Sequence, residues 1–158
     1  MVIKELYPFI QAYAFIIGLA VGSFLNVIIY RIPNNKSIVK PRSKCTECET
    51  QISWFDNIPV LSYALLLGKC RNCKASISIR YPLIEFICGL MTVMLLGIYG
   101  ISYEFFVIVL FCYMLIAITF IDIDHFIIPN GFVLFGIFIL AGSLFFKFVP
   151  IKWHESVS

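Results

Sequence analysis

Leu6 to Tyr30, LYPFIQAYAFIIGLAVGSFLNVIIY, contains no Asp, Glu, Lys or Arg. About 20 apolar residues in a helix cross the roughly 30 Å hydrocarbon layer of a bilayer, so this stretch is long enough to span with some tilt. Three more charge-free runs follow: Phe86 to Tyr103, Phe105 to Ile121 and Phe126 to Phe146. Composition points the same way, with 61% hydrophobic, 16% aromatic and only 13% charged residues. Soluble domains carry about 25% charged residues. The expected fold is an all-α integral membrane protein with about four transmembrane helices, because only helices and closed barrels satisfy the backbone inside lipid. The fourth is the weakest, since Pro129-Asn130-Gly131 breaks its start and leaves a short apolar remainder before Lys147. At about 1.5 Å per residue that remainder gives only about 24 Å of helix. A cleaved signal peptide does not suit the first run, which is too long for such a segment and is followed by no small-residue cleavage site.

Charge sets the orientation. Of the 12 Lys and Arg residues, nine lie between residues 31 and 80, against three acids, Glu47, Glu49 and Asp56. Basic loops stay in the cytoplasm. This insert is therefore expected to be cytoplasmic in a multi-pass plasma-membrane protein, and by parity the turn from Asp122 to Asn130 shares its side. The net charge of +3 is a topology signal, with no aromatic-interleaved basic patch to suggest nucleic acid. The chain divides into a first membrane helix (1–30), a cytosolic insert (31–80) and a three-helix membrane part (81–158).

Within the insert, Cys45 and Cys48 form one C-x2-C pair, and Cys70 and Cys73 form a second. Two such turns supply a tetrahedral set of four thiolates, which predicts a structural zinc site closed to water. Two disulfides are the alternative, disfavoured in a reducing compartment. An insert this small buries too little to fold without such a staple. Cys88 and Cys112 sit in apolar runs and read as buried fillers. The insert's apolar residues, Trp54, Phe55, Ile58 and Leu61 to Leu67 among them, would pack on the knuckles or lie on the membrane surface.

In the first run Gly18, Gly22 and Asn26 recur every four positions, a small-residue face that lets another helix approach. Asn26 needs a hydrogen-bond partner there. Glu85 reads as a helix-start carboxylate satisfied by the dipole. Asp122 and Asp124 stand at the end of the third run, where a carboxylate is costly unless solvated, paired or used. Function and interfacial anchoring are equally good readings of them. A separation of two positions on a helix means about 200° around its axis, so they do not form a carboxylate pair with each other.

Several of these segments together resemble the bacterial type IV prepilin peptidases, membrane aspartic proteases that remove the leader from prepilins and pseudopilins and commonly N-methylate the new terminus. The likeness covers Gly22-Ser23-Phe24-Leu25-Asn26-Val27 with Arg31-Ile32-Pro33, both C-x2-C pairs, and Trp54-Phe55-Asp56-Asn57-Ile58-Pro59-Val60-Leu61-Ser62-Tyr63. It continues through Gly68-Lys69-Cys70-Arg71, Ile77-Ser78-Ile79-Arg80-Tyr81-Pro82 with Glu85, and Asp122 to Pro129. The family's first catalytic aspartate stands seven positions before the proline of its Ile-Pro turn, which falls here on Asp122.

The resemblance implies cleavage at the cytoplasmic face by two carboxyls sharing a proton, with S-adenosylmethionine as methyl donor. The partners it implies are prepilin or pseudopilin substrates of pilus or type II secretion systems, within membrane lipid. The family's second aspartate comes from a Gly-x-Gly-Asp segment, absent from these 158 residues. The chain is accordingly expected to be a C-terminally truncated or split member, completed by a partner chain or by a second copy of itself. A zinc-stapled scaffold without catalysis is the competing reading. No G-x-G loop marks a cofactor site, so residues binding S-adenosylmethionine are not assigned.

Overall fold

The first charge-free run folds as one long helix, α1 (Val2–Arg31), which ends where Arg31 turns outward. Its guanidinium donates to the carbonyls of Ser37 (2.8 Å) and Pro41 (2.7 Å), and Pro33 follows, which cannot continue a helix. The structure, a computed structural model, describes residues 2–148, with side chains described over 6–144. The tail Lys152 to Ser158 lies outside the described residues. A short helix, α2 (Leu61–Leu65), lies within the insert, and after the insert come α3 (Arg80–Tyr99), α4 (Tyr103–His125) and α5 (Asn130–Phe148).

The turns between these helices carry the chemistry of helix ends. Gly100 closes α3 at φ 61°, a left-handed position where glycine costs nothing. Ser102 caps α4 by accepting the Phe105 N–H at 3.2 Å. Phe126 ends α4 in the left-handed region, its N–H reaching the Asp122 carbonyl at 2.8 Å. Pro129 then leads into α5.

Three helices are long and apolar enough to cross a membrane, Leu6–Arg31, Arg80–Tyr99 and Tyr103–His125, and a shorter apolar helix covers Asn130–Leu144. The chain is thus a helical membrane protein with three to four membrane-capable helices, and no strand occurs among the described residues. Its second membrane helix begins at Arg80, earlier than the charge-free run does. The insert lies between α1 and α3.

Helix α1 packs along α3 through its glycines. A Cβ on Gly22 would stand 2.6 Å from the Cα of Glu85, and one on Gly18 would stand 2.7 Å from the Cα of Gly89. Nothing larger than hydrogen fits. Ile84, Cys88, Ala117 and Ile121 are fully buried in the resulting core, which bears out the filler role of Cys88. The Thr92 and Tyr113 hydroxyls bond to each other between α3 and α4, so a polar pair is satisfied at membrane depth. Outward-facing residues such as Phe9, Ile98 and Phe138 are more than two-thirds exposed, as helices solvated by lipid require.

Candidate functional site

Each C-x2-C pair folds as a small knuckle, and the two knuckles are copies. In the first, the Cys45 N–H reaches the Thr50 carbonyl (3.0 Å) and the Glu49 N–H the Cys45 carbonyl (3.1 Å). In the second, the Cys70 N–H reaches the Ala75 carbonyl (2.8 Å) and the Lys74 N–H the Cys70 carbonyl (3.0 Å). An antiparallel bridge closes each loop, Lys44 with Gln51 and Lys69 with Ser76. Each places a non-glycine residue in the left-handed region, Glu49 at φ 55° and Lys74 at φ 60°. The sequence carries the repeat as Lys-Cys-x-x-Cys at 44–48 and again at 69–73, but a period seen only once is easily passed over.

The knuckles bring the four sulfurs together. All lie within 4.8 Å of one another, and those of Cys45 and Cys73 are 3.8 Å apart. Sulfurs around a tetrahedral zinc at about 2.3 Å stand ~3.8 Å from each other, so the donor set fits such an ion. Hydrogen bonds from Thr50 and Asn72 pull the Cys48 thiol down to about 6. Cys73, although it takes a backbone hydrogen bond from Ala75, is pushed up to about 11 by desolvation and the neighbouring sulfurs. Crowded thiols that cannot all ionise alone do so around a cation.

The second knuckle is braced by Asp56, near the end of a 3-10 turn (Trp54–Asn57). Arg71 grips this carboxylate in a fork, Nε at 2.8 Å from Oδ2 and Nη2 at 2.7 Å from Oδ1, and stacks 5.5 Å from the Phe55 ring. Hydrogen bonding to Arg71 holds the Asp56 carboxyl below its ordinary value.

Two part-buried contacts hold the start of α3, one from the insert and one from α1. Glu85, the sixth residue of α3 and not a first-turn residue, accepts the Val60 N–H at 2.7 Å. It is held by the insert, and the helix-dipole reading is corrected accordingly. Val60 sits at φ 59°, ψ −47°, with the Leu61 N–H bonded to the Pro59 carbonyl, a γ-turn that is rare and strained for a β-branched residue. Asn26 finds its partner in the Tyr81 carbonyl, 3.1 Å away.

At the end of α4 the two acids part company. Arg80 clamps Asp124, Nη1 lying 2.6 and 2.7 Å from its oxygens, while Nη2 donates to the Phe120 carbonyl at 3.1 Å and the guanidinium lies 4.8 Å from the Phe120 ring centre. Asp122 is exposed, and among the described residues no hydrogen bond or ion pair holds its carboxylate. A cavity of about 210 Å³ beside this end is lined by Asn26, Tyr30, Arg80, Tyr81, Asp124 and His125 among others, and not by Asp122. Arg80 and Asp124 are far apart along the chain, and nothing in the local sequence announces their pairing.

Packed apolar helices, an acidic helix end and an insert whose four clustered thiols could hold a metal define the class, a helical integral membrane protein. Residues 16–99 match the family model of the bacterial peptidase A24 N-terminal domain, and the chain belongs to that family of membrane proteases. It is 42% identical over 135 residues to a prepilin leader peptidase/N-methyltransferase of Myxococcus xanthus, aligning 85% of this chain with 40% of the relative. Proteins of the same description from Stutzerimonas stutzeri (35% identity, 91% of this chain, 59% of the relative) and Neisseria gonorrhoeae (36%, 95%, 61%) are similar. The chain thus spans roughly two-fifths to three-fifths of the curated relatives it matches. No solved structure matches it.

Proposed function

We propose that this chain supplies one half of the acid pair of a prepilin leader peptidase, with Asp122 as its catalytic carboxyl. One observation carries the reading: of the two exposed acids at the end of α4, Asp124 is engaged by Arg80, whereas the Asp122 carboxylate has no partner among the described residues. An aspartic mechanism needs two carboxyls close enough that only one ionises, one activating water and the other donating to the substrate carbonyl. These 158 residues hold no Gly-x-Gly-Asp segment, and the reading takes the second acid from elsewhere in the working enzyme. The basic residues of the insert support a cytoplasmic setting for it and for Asp122. A prepilin or pseudopilin, with its apolar helix in the bilayer, would present its scissile bond at that depth.

Zinc held by Cys45, Cys48, Cys70 and Cys73 stabilises the insert and takes no part in cleavage. The relatives are named as N-methyltransferases as well, and S-adenosylmethionine would be the methyl donor for such a transfer.

The test is leader cleavage in membranes carrying this chain together with the remaining segment of a relative. Asp122→Asn should abolish cleavage while metal content and membrane insertion persist; unchanged cleavage in that variant refutes the assignment. If wild-type chain so completed binds prepilin and never cuts it, the non-catalytic scaffold is the better account.

A further inference from the structure

On another side of the insert a cavity of about 270 Å³ opens between α1 and the loop that follows it. Phe24 and Val27 of α1 line it, facing Val39 and Trp54 of the insert, with Arg31 and Arg42 at its border. Val39 and Trp54 are 76% and 74% exposed. Large apolar side chains left so open on a basic insert are out of place in water, whereas the boundary between lipid and water is where an amphipathic ring such as that of Trp settles.

Depth supports that boundary. Val27 and Phe24 lie four and seven positions before the end of the span at Arg31, about 6 and 10 Å along a helix axis. The cavity therefore begins in the outer hydrocarbon and ends in the headgroup layer. Arg31 is occupied by the Ser37 and Pro41 carbonyls and serves to hold the loop over the cavity. Arg42 is exposed and has no partner among the described residues. Apolar walls leading to one unengaged guanidinium suit a glycerophospholipid, its acyl chains beginning against Phe24 and Val27 and its phosphate at Arg42. Nine basic residues against three acids in the insert favour an anionic headgroup over a zwitterionic one.

We propose that this cavity seats the glycerol-phosphate region of an anionic phospholipid, with Arg42 contacting the phosphate and Trp54 lying against the lipid. The inference does not rest on the peptidase reading.

The chain has two tryptophans, Trp54 and Trp153, so Trp153→Phe leaves Trp54 as the only indole. Full-length chain in nanodiscs of equal phosphatidylglycerol and phosphatidylcholine is prepared twice, with bromine near the glycerol end of one lipid's acyl chains and then of the other's. Trp54 fluorescence should be quenched more by brominated phosphatidylglycerol, corresponding to about a fivefold local preference for the anionic lipid, and Arg42→Gln should bring the two close to parity. Glycerol 3-phosphate in the buffer should not relieve the quenching. Equal quenching by both lipids in the parent protein, or a Trp54 reached by acrylamide and by neither lipid, overturns the proposal. Retained preference in Arg42→Gln overturns the phosphate assignment, and relief by glycerol 3-phosphate would show that the site takes a free phosphate ester instead.

Discussion

Asp122 and Asp124 are the same residue type two positions apart, yet their surroundings assign them opposite tasks. On a helix they point some ~200° apart, so Arg80 at the start of α3 reaches one and not the other. Its Nη1 holds Asp124 through both oxygens while Nη2 takes the Phe120 carbonyl, close to the last-turn carbonyls that a helix leaves without an internal partner. The clamp fixes the turn on which Asp122 rides. Because both partners are about one-third exposed, its contribution is modest, about 1–2 kcal/mol for an ion pair through one nitrogen with a further hydrogen bond from the other. Arg80→Ala should therefore leave the fold intact but speed amide hydrogen exchange across residues 120–126 by about five- to thirtyfold. Arg80→Lys should fall between, since one ammonium can meet the carboxylate but has no second nitrogen to hold the Phe120 carbonyl. Exchange unchanged in Arg80→Ala would mean that the helix end holds its own shape and the ion pair is ornamental.

At the scale of elements, the seam between α1 and α3 was legible in the residues alone: Gly18, Gly22 and Asn26 recur every four positions, and that spacing can only make a face. The end of α1 was nearly as plain, since Arg31 and Pro33 follow the charge-free run, whereas the turn at Gly100 and Ser102 falls inside the second run and was passed over. What α3 does at its start was not legible. A charge-free window excludes Arg80 and Glu85 by definition, yet both lie in the helix, because their charges are met from afar, one by Asp124 and the other by the Val60 N–H. Local sequence holds no trace of partners so distant along the chain. The seam itself makes a sharp prediction. Gly22→Ala places a methyl 2.6 Å from the backbone of Glu85, which must move, at a cost of about 1–3 kcal/mol. Gly142→Ala meets nothing within 4 Å and should be neutral or slightly favourable. Unfolding of the two variants in mixed micelles by steric trapping or denaturant compares them directly. Equal stabilities would show that α1 and α3 do not approach this closely.

For the molecule as a whole, the insert is a small body fastened to the membrane helices at three places: the Arg31 contacts at its start, the Val60 to Glu85 bond in its middle, and Arg80 at its end. The last fastening is reached through the second knuckle. The Ile77 N–H bonds the Gly68 carbonyl at 2.7 Å, the Tyr63 hydroxyl bonds the Ile77 carbonyl at 3.2 Å, and Lys69 bridges Ser76. Few buried apolar groups support this chain of contacts, since most of the insert's large side chains are exposed. On the proposed reading a metal gathering the four sulfurs supplies that order, because the free energy of binding is then the free energy of folding. Loss of the ion should release the knuckles first, loosen residues 77–80 next, and slacken the grip of Arg80 on Asp124 last, while α1, α3 and α4 stay packed on their own core. Treatment with a strong chelator, or Cys45→Ser with Cys48→Ser, should open residues 43–76 to protease and leave the spans protected. Amide exchange at 120–126 should rise toward the level of Arg80→Ala. If the stripped protein resists protease as the loaded one does, the staple is not what folds the insert; if the insert opens but the end of α4 stays as protected as before, the metal and the Asp122 turn are uncoupled.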